Sequence, residues 1–157
     1  MQGITPVLWF NMNAEEAANF YVATFSNSKI LSTTWYGEGA PVPAGTVLTV
    51  DFELDGLKLQ ALNGGPGFEF TEAVSLAVPV DTQDEVDRLW NTLIADGGAP
   101  SQCGWLKDKY GFSWQIVPKR LIELMGVEDR AAASRVLVAM LQMTKIEIPL
   151  LEAAHRG

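Results

Sequence analysis

Asp55-Gly56-Leu57-Lys58-Leu59-Gln60-Ala61-Leu62 returns 55 residues later as Tyr110-Gly111-Phe112-Ser113-Trp114-Gln115-Ile116-Val117. Each copy is a turn glycine followed by an alternating strand, and each places a glutamine at the same point. Asp55-Gly56 is also a strong hairpin signal, because the tightest hairpin turn needs left-handed backbone at both central positions. A second echo, at an offset of 69, links two helix-like segments. Ala17, Phe20, Tyr21, Thr24 and Phe25 recur as Val86, Leu89, Trp90, Leu93 and Ile94. Their i, i+3, i+4, i+7, i+8 spacing is the buried stripe of an amphipathic helix. Asn13 precedes Ala14-Glu15-Glu16 and Thr82 precedes Gln83-Asp84-Glu85, so a capping box is expected, strictly at Thr82 and loosely at Asn13. Helices and strands repeated in the same order predict a duplicated module.

Outward from these anchors, residues 4–10 read as a strand, 14–25 as a helix, and 29–35 as a strand. Residues 37–45 hold three glycines and two prolines and read as a loop. Over residues 46–54, Leu48, Val50, Phe52 and Leu54 share one face, with Val47, Thr49, Asp51 and Glu53 opposite. Asn63-Gly64-Gly65-Pro66-Gly67 is the natural joint. It follows a hairpin strand and opens no helix, so it lacks the context of a phosphate cradle. The second half is predicted as a strand over 73–80, a helix over 83–95 stopped by Gly97-Gly98, short strands at 101–103 and 105–107, and a strand over 112–117. Lys107-Asp108-Lys109 reads as an exposed turn. Residues 119–125 and 131–143 look helical, and Pro149 is suited to open a last helix reaching 154. The predicted fold class is α+β, a single domain of 157 residues. It comprises tandem βαβββ modules over 1–66 and 67–118, forming a curved mixed sheet, and a C-terminal helical extension over 119–157.

A hydrophobic share of 48% argues against disorder. A net charge of −8 without a Lys/Arg cluster argues against a nucleic-acid partner, which needs a basic stripe. No apolar run approaches the roughly 18 residues of a membrane span, so no membrane partner is expected. The N-terminus shows no secretory signal, and the single cysteine, Cys103, excludes an internal disulfide; a cytoplasmic protein is the simplest expectation.

Thr5-Pro6-Val7-Leu8-Trp9-Phe10, Ala14-Glu15-Glu16-Ala17 with Phe20-Tyr21, and Ala61-Leu62-Asn63-Gly64-Gly65-Pro66 together resemble one family. So do Phe70-Thr71-Glu72-Ala73, Gln102-Cys103-Gly104-Trp105-Leu106-Lys107-Asp108, Ser113-Trp114-Gln115-Ile116-Val117-Pro118 and Lys145-Ile146-Glu147-Ile148. That family is the PhnB-like branch of the vicinal oxygen chelate superfamily, often labelled 3-demethylubiquinone-9 3-methyltransferase. The superfamily includes glyoxalase I, extradiol dioxygenases, fosfomycin-resistance enzymes and bleomycin-binding proteins. The resemblance implies that each module folds into a curved half-barrel beside a cleft. It also implies that metal-dependent members hold a divalent ion through positions here occupied by Pro6 (or Thr5), Gln60, Ser75 and Gln115.

Proline and serine are poor ligands and an amide oxygen is neutral, so no metal and no cofactor are expected. A methyltransferase activity lacks sequence support, because no strand, glycine-rich loop and helix follow one another as a nucleotide-type cofactor site requires. Gln60 and Gln115 either hydrogen-bond inside the fold or orient a polar ligand. Trp9, Trp105 and Trp114 on strands, and Trp35 and Tyr36 before the glycine-rich loop, are candidates for an aromatic pocket wall. Ser75 completes the pocket set with the two glutamines. Glu53, as an acidic base, and Cys103, as a nucleophile near Lys107, are the catalytic candidates. The leading expectation is a metal-independent protein that binds a small-molecule ligand. The alternatives are a lyase or isomerase using the same cleft and an interaction module. A homodimer through the amphipathic C-terminal helices is expected with any of them.

Overall fold

The computed structural model describes residues 3–157, and the chain forms two compact units, one ending at Glu69 and one beginning at Phe70. The first contains β1 (Val7–Phe10), α1 (Ala14–Thr24), β2 (Ser28–Trp35), β3 (Val47–Leu54) and β4 (Leu57–Asn63). The strands form one sheet in the order β1-β4-β3-β2, with β1 parallel to β4 and the other pairs antiparallel. Asp55 and Gly56 both have positive φ, 44° and 86°, and turn β3 into β4 between the paired Leu54 and Leu57. That left-handed pair is the tight turn that Asp-Gly favours.

Period-two alternation buries Leu8 and Phe10 of β1, Val50, Phe52 and Leu54 of β3, and Leu59 and Ala61 of β4. Helix α1 covers this face with Ala14, Ala17, Ala18 and Tyr21, and the Tyr21 ring stacks on Phe52 at 6.2 Å. The alanines let the helix lie close to the sheet while Tyr21 supplies the large apolar surface. Phe20, expected within the stripe, is only half-buried.

Asn13 makes no capping bond with its side chain. The first α1 amide, on Ala14, instead donates to Asn63 Oδ1 at 2.8 Å. Asn63 Nδ2 donates to the Val47 carbonyl at 3.0 Å, so one buried amide at the end of β4 ties helix to sheet. A long-range cap of this kind has no local sequence signal, which is why the Asn13 reading fails.

The second unit contains β5 (Ser75–Val80), α2 (Gln83–Ile94), β6 (Ala99–Pro100), β7 (Trp105–Lys107), β8 (Ser113–Pro118), α3 (Lys119–Met125), α4 (Arg130–Leu141) and α5 (Ile148–Arg156). Its sheet order is β5-β8-β7-β6, with β5 parallel to β8. Each unit thus has the same strand order and one parallel pair, as duplication requires. The Thr82 capping box forms: Glu85 N donates to Thr82 Oγ1 at 3.2 Å, and Thr82 N donates to Glu85 Oε2 at 3.1 Å. Of the predicted stripe, Val86, Leu89, Trp90 and Leu93 are buried and Ile94 is half-buried, with Leu106, Trp114 and Ile116 buried in the same unit.

Two local expectations change. Residues 101–103 form a turn, and the edge strand is Ala99–Pro100. Cys103 and Gly104 adopt positive φ, and their amides donate to Met143 and Thr144, drawing this turn onto the C-terminal segment. Asp108 is 2% exposed and does not lie in an exposed turn. Its Oδ1 accepts from Tyr110 N at 2.8 Å and Phe112 N at 3.1 Å, and its Oδ2 accepts from Trp114 Nε1 at 2.8 Å. The second Gly-x-x-x-Gln copy therefore follows a longer loop organised by a carboxylate, whereas the first follows a two-residue turn.

The C-terminal helices carry their own core of Leu121, Leu124, Val136, Ile146 and Leu151. Gln83 anchors the segment to α2: its Nε2 donates to the Ile146 carbonyl at 3.1 Å and its Oε1 accepts from Ile148 N at 2.8 Å. The second bond also satisfies an otherwise orphaned amide at the α5 N-terminus. Among the described residues, no helix is long and apolar enough to cross a membrane.

Candidate functional site

In the first unit, the sheet face opposite α1 carries Asp51 beside Gln60 in the β3–β4 register. Gln60 Nε2 donates to Asp51 Oδ1 at 2.8 Å, and Ser32 Oγ donates to Asp51 Oδ2 at 2.8 Å. The carboxylate oxygen accepts, so it orients the Gln60 amide with its NH2 towards Asp51 and turns the carbonyl oxygen away from it. Thr5, Val7, Leu31, Ser32, Asp51, Lys58 and Gln60 line a recess of about 380 Å³ here. Glu53 lies two residues along the strand, at 3.9 Å from Lys29 Nζ, and does not line that recess.

The aromatic candidates of this unit separate. Trp9 is half-buried; its indole N–H donates to the Gly65 carbonyl at 2.8 Å, and its ring meets Phe68 edge-on at 5.0 Å. A Cβ on Gly64 would stand 2.3 Å from the Trp9 ring, so close packing on this indole requires glycine there. Tyr36 donates its hydroxyl to the Asn63 carbonyl at 2.6 Å, while Trp35 is 59% exposed at the end of β2.

In the second unit, Ser75, Trp105, Lys107, Ser113 and Gln115 share the sheet face opposite α2, as strand alternation and register require. Gln115 Nε2 donates to Ser75 Oγ at 2.9 Å. A recess of about 230 Å³ is lined by Glu72, Ala99, Pro100, Ser101, Trp105, Leu106, Lys107 and Ser113. Lys107 Nζ meets Glu72 Oε1 at 2.6 Å, and this charge-assisted hydrogen bond holds the Glu72 carboxyl below its usual range. Trp114 points to the opposite, α2 side: it is 2% exposed, bonded to Asp108 and packed edge-on against Phe112 at 5.4 Å. Cys103 is half-buried in the turn before β7.

The structure thus gathers Gln60 with Asp51 and Ser32 in one unit, and Ser75, Gln115 and Trp105 in the other. Of the sequence candidates, Gln60 and Trp105 line the recesses; Trp9, Trp35, Tyr36, Glu53, Ser75, Cys103, Trp114 and Gln115 do not. Lys107 and Ser113 were not among the pocket residues expected from sequence, although the period-two relation to Trp105 and Gln115 was a usable signal.

The donors at Pro6, Gln60, Ser75 and Gln115 do not fit a divalent metal. Pro6 offers only its carbonyl, which already accepts from Gln60 N at 3.0 Å. Ser75 and Gln115 bond to each other, and both Asp51 oxygens hold neutral donors. Among the described residues, no group of three or more His, Cys, Asp or Glu side chains is placed to hold a metal.

A family model described as 3-demethylubiquinone-9 3-methyltransferase matches residues 2–117. The chain belongs to this family. The match spans both βαβββ repeats and stops before α3, so the helical extension lies beyond it. The family's solved relatives include a putative 3-demethylubiquinone-9 3-methyltransferase, PhnB protein, from Bacillus cereus. It is 37% identical over 74% of this chain and 99% of its own, with a TM-score of 0.68. Protein PA1353 from Pseudomonas aeruginosa shares the fold at 23% identity, covering 75% of this chain and 98% of its own, with a TM-score of 0.61. A mutant of the genomically encoded fosfomycin resistance protein FosX from Listeria monocytogenes, complexed with Mn(II) and 1S,2S-dihydroxypropylphosphonic acid, shares the fold at 15% identity. The likeness covers 73% of this chain and 90% of that one, with a TM-score of 0.50. No curated protein matches the chain. The chain is thus PhnB-like, and its tandem βαβββ fold is shared with the fosfomycin resistance protein.

Proposed function

We propose that this PhnB-like chain is a small-molecule-binding protein that works without a metal at the superfamily's ligand positions. The observation that carries the reading is the treatment of the two repeated glutamines. Each is held by one hydrogen bond within its own unit, Gln60 to Asp51 at 2.8 Å and Gln115 to Ser75 at 2.9 Å. An amide fixed through its NH2 presents a neutral acceptor in a preset direction, which suits a polar organic ligand and gives a cation no charge. The flanking recesses supply polar groups together with apolar wall from Val7, Leu31, Pro100 and Trp105, a mixture typical of small-ligand sites.

A methyltransferase reading gains no support from these sheets. Gly64 and Gly65 serve the Trp9 contact and lead on towards β5, not into a helix N-terminus.

The test is native mass spectrometry of the protein incubated with a metabolite extract. The wild type retains a small organic molecule, and a variant carrying Gln60→Ala with Gln115→Ala loses it while its melting temperature stays within about 5 °C, since both side chains are only half-buried. Failure of the wild type to retain any molecule would contradict the reading, as would undiminished retention by the variant.

A further inference from the structure

We propose that the recess in the second unit binds the carboxylate of a small aromatic acid, which replaces Glu72 on Lys107 and accepts the Ser113 hydroxyl. The proposal deepens the small-molecule reading and rests on it. It begins from Ser113, which is 1% exposed and whose Oγ has no hydrogen-bond partner. Native proteins rarely leave a buried hydroxyl unpaired, so an unpaired one calls for a missing partner. Ser75 lies opposite Ser113 in the β5–β8 register, yet its hydroxyl is engaged by Gln115. On the other side, Lys107 is paired with Ser113 across β7 and β8, which brings the two side chains together on one face.

An ammonium carries three donors and a hydroxyl one. Both line the same recess, and together they match the two oxygens of one carboxylate. Glu72 also lines that recess, with a side chain 63% exposed, and its carboxylate already occupies Lys107 at 2.6 Å. It therefore stands where a ligand carboxylate would stand, and it is tethered loosely enough to be displaced. A dianion such as a phosphate is a poorer match, because one ammonium facing Glu72 cannot balance two charges. Trp105, Pro100 and Ala99 form the apolar wall, and the indole offers a face for stacking. At about 230 Å³ the recess has room for roughly seven waters at about 30 Å³ each, the scale of a single substituted ring.

Benzoate is the probe, with benzamide as its neutral isostere, and binding is read from the Trp105 indole and the Lys107 and Ser113 amides by NMR. Benzoate shifts these signals with an affinity about tenfold above that of benzamide. Ser113→Ala weakens benzoate about tenfold, the usual effect of losing a hydrogen bond to a charged group, and Lys107→Met removes the preference over benzamide. Glu72→Ala, at an exposed position, tightens benzoate several-fold because the internal competitor is gone. Equal affinity for the two probes, no benzoate shift at tens of millimolar, or a Glu72→Ala variant that binds benzoate no better overturns the proposal. If the metabolite-extract experiment still yields a retained molecule in that case, only the carboxylate assignment fails; if it yields none, the small-molecule reading fails as well.

Discussion

Asp108→Ala lowers stability by about 3–5 kcal/mol, the largest single-residue effect expected outside the apolar core. The carboxylate is 2% exposed and serves three donors, Tyr110 N, Phe112 N and Trp114 Nε1. Alanine leaves these donors without their acceptor in the interior, and each unsatisfied buried group costs about 1–3 kcal/mol. Asp108→Asn is milder, because its amide oxygen still accepts from the loop amides, but its NH2 then faces the Trp114 N–H, donor against donor. For a chain of this length the alanine variant loses roughly 10–15 °C in Tm, and the asparagine variant falls between it and wild type. Near-ultraviolet circular dichroism, compared with that of a Trp114→Phe variant, follows the Trp114 contribution among the five tryptophans. A Tm within about 2 °C of wild type for Asp108→Ala would show that the buried carboxylate does not organise this loop.

Gly98→Ala costs about 3 kcal/mol for a different reason. Gly98 has an ordinary φ of −68°, so no left-handed strain is involved. Its pro-Cβ position lies 2.6 Å from Ile94 Cα, 2.6 Å from the Leu93 carbonyl oxygen and 2.8 Å from the Lys107 carbonyl oxygen. All three are backbone atoms, so no side chain can turn aside. Relief requires β6 to move away from α2 or β7, which disturbs the pairing of Ala99 with Lys107. Overpacking of this kind costs typically about 1–3 kcal/mol, and the backbone character of every contact places Gly98 at the upper end. The expected loss is roughly 6–12 °C in Tm, whereas Gly37→Ala, at a glycine with no neighbour within 4 Å of a built Cβ, leaves Tm unchanged. Equal Tm values for the two variants would contradict the steric account.

The contrast between Gly98 and Asp108 shows what was legible in the chain. The helix stripes, the Asp55-Gly56 turn and the Thr82 capping box follow from spacing within a few residues, and local physics suffices to read them. The duplicated strand order follows from two offsets that recur across the chain. The Asn63 cap on α1, the Asp108 loop and the Gln83 anchor join residues far apart in sequence or depend on which way one polar side chain turns. No periodicity encodes such bonds. The candidate site divides in the same way. Gln60 and Gln115 were found by repetition, and strand alternation places Trp105 on the recess face. Trp114 breaks from the aromatic set because it has the opposite parity to Gln115, so the α2 side receives it. Ser113 is identified only by what it lacks, a partner for its hydroxyl, and that is visible only in three dimensions.

The proposed metal-independent binding depends on the neutrality of the two repeated amides, Gln60 and Gln115. Thermal melting of the purified, EDTA-treated protein with and without about 1 mM Mn²⁺, Zn²⁺ or Mg²⁺ tests it most directly. A site of roughly 10 μM affinity would add about 2.7 kcal/mol at that concentration, or roughly 6–10 °C in Tm. The expected change is less than about 1 °C with every ion. A rise of several degrees that disappears in Gln60→Ala or Gln115→Ala would contradict it.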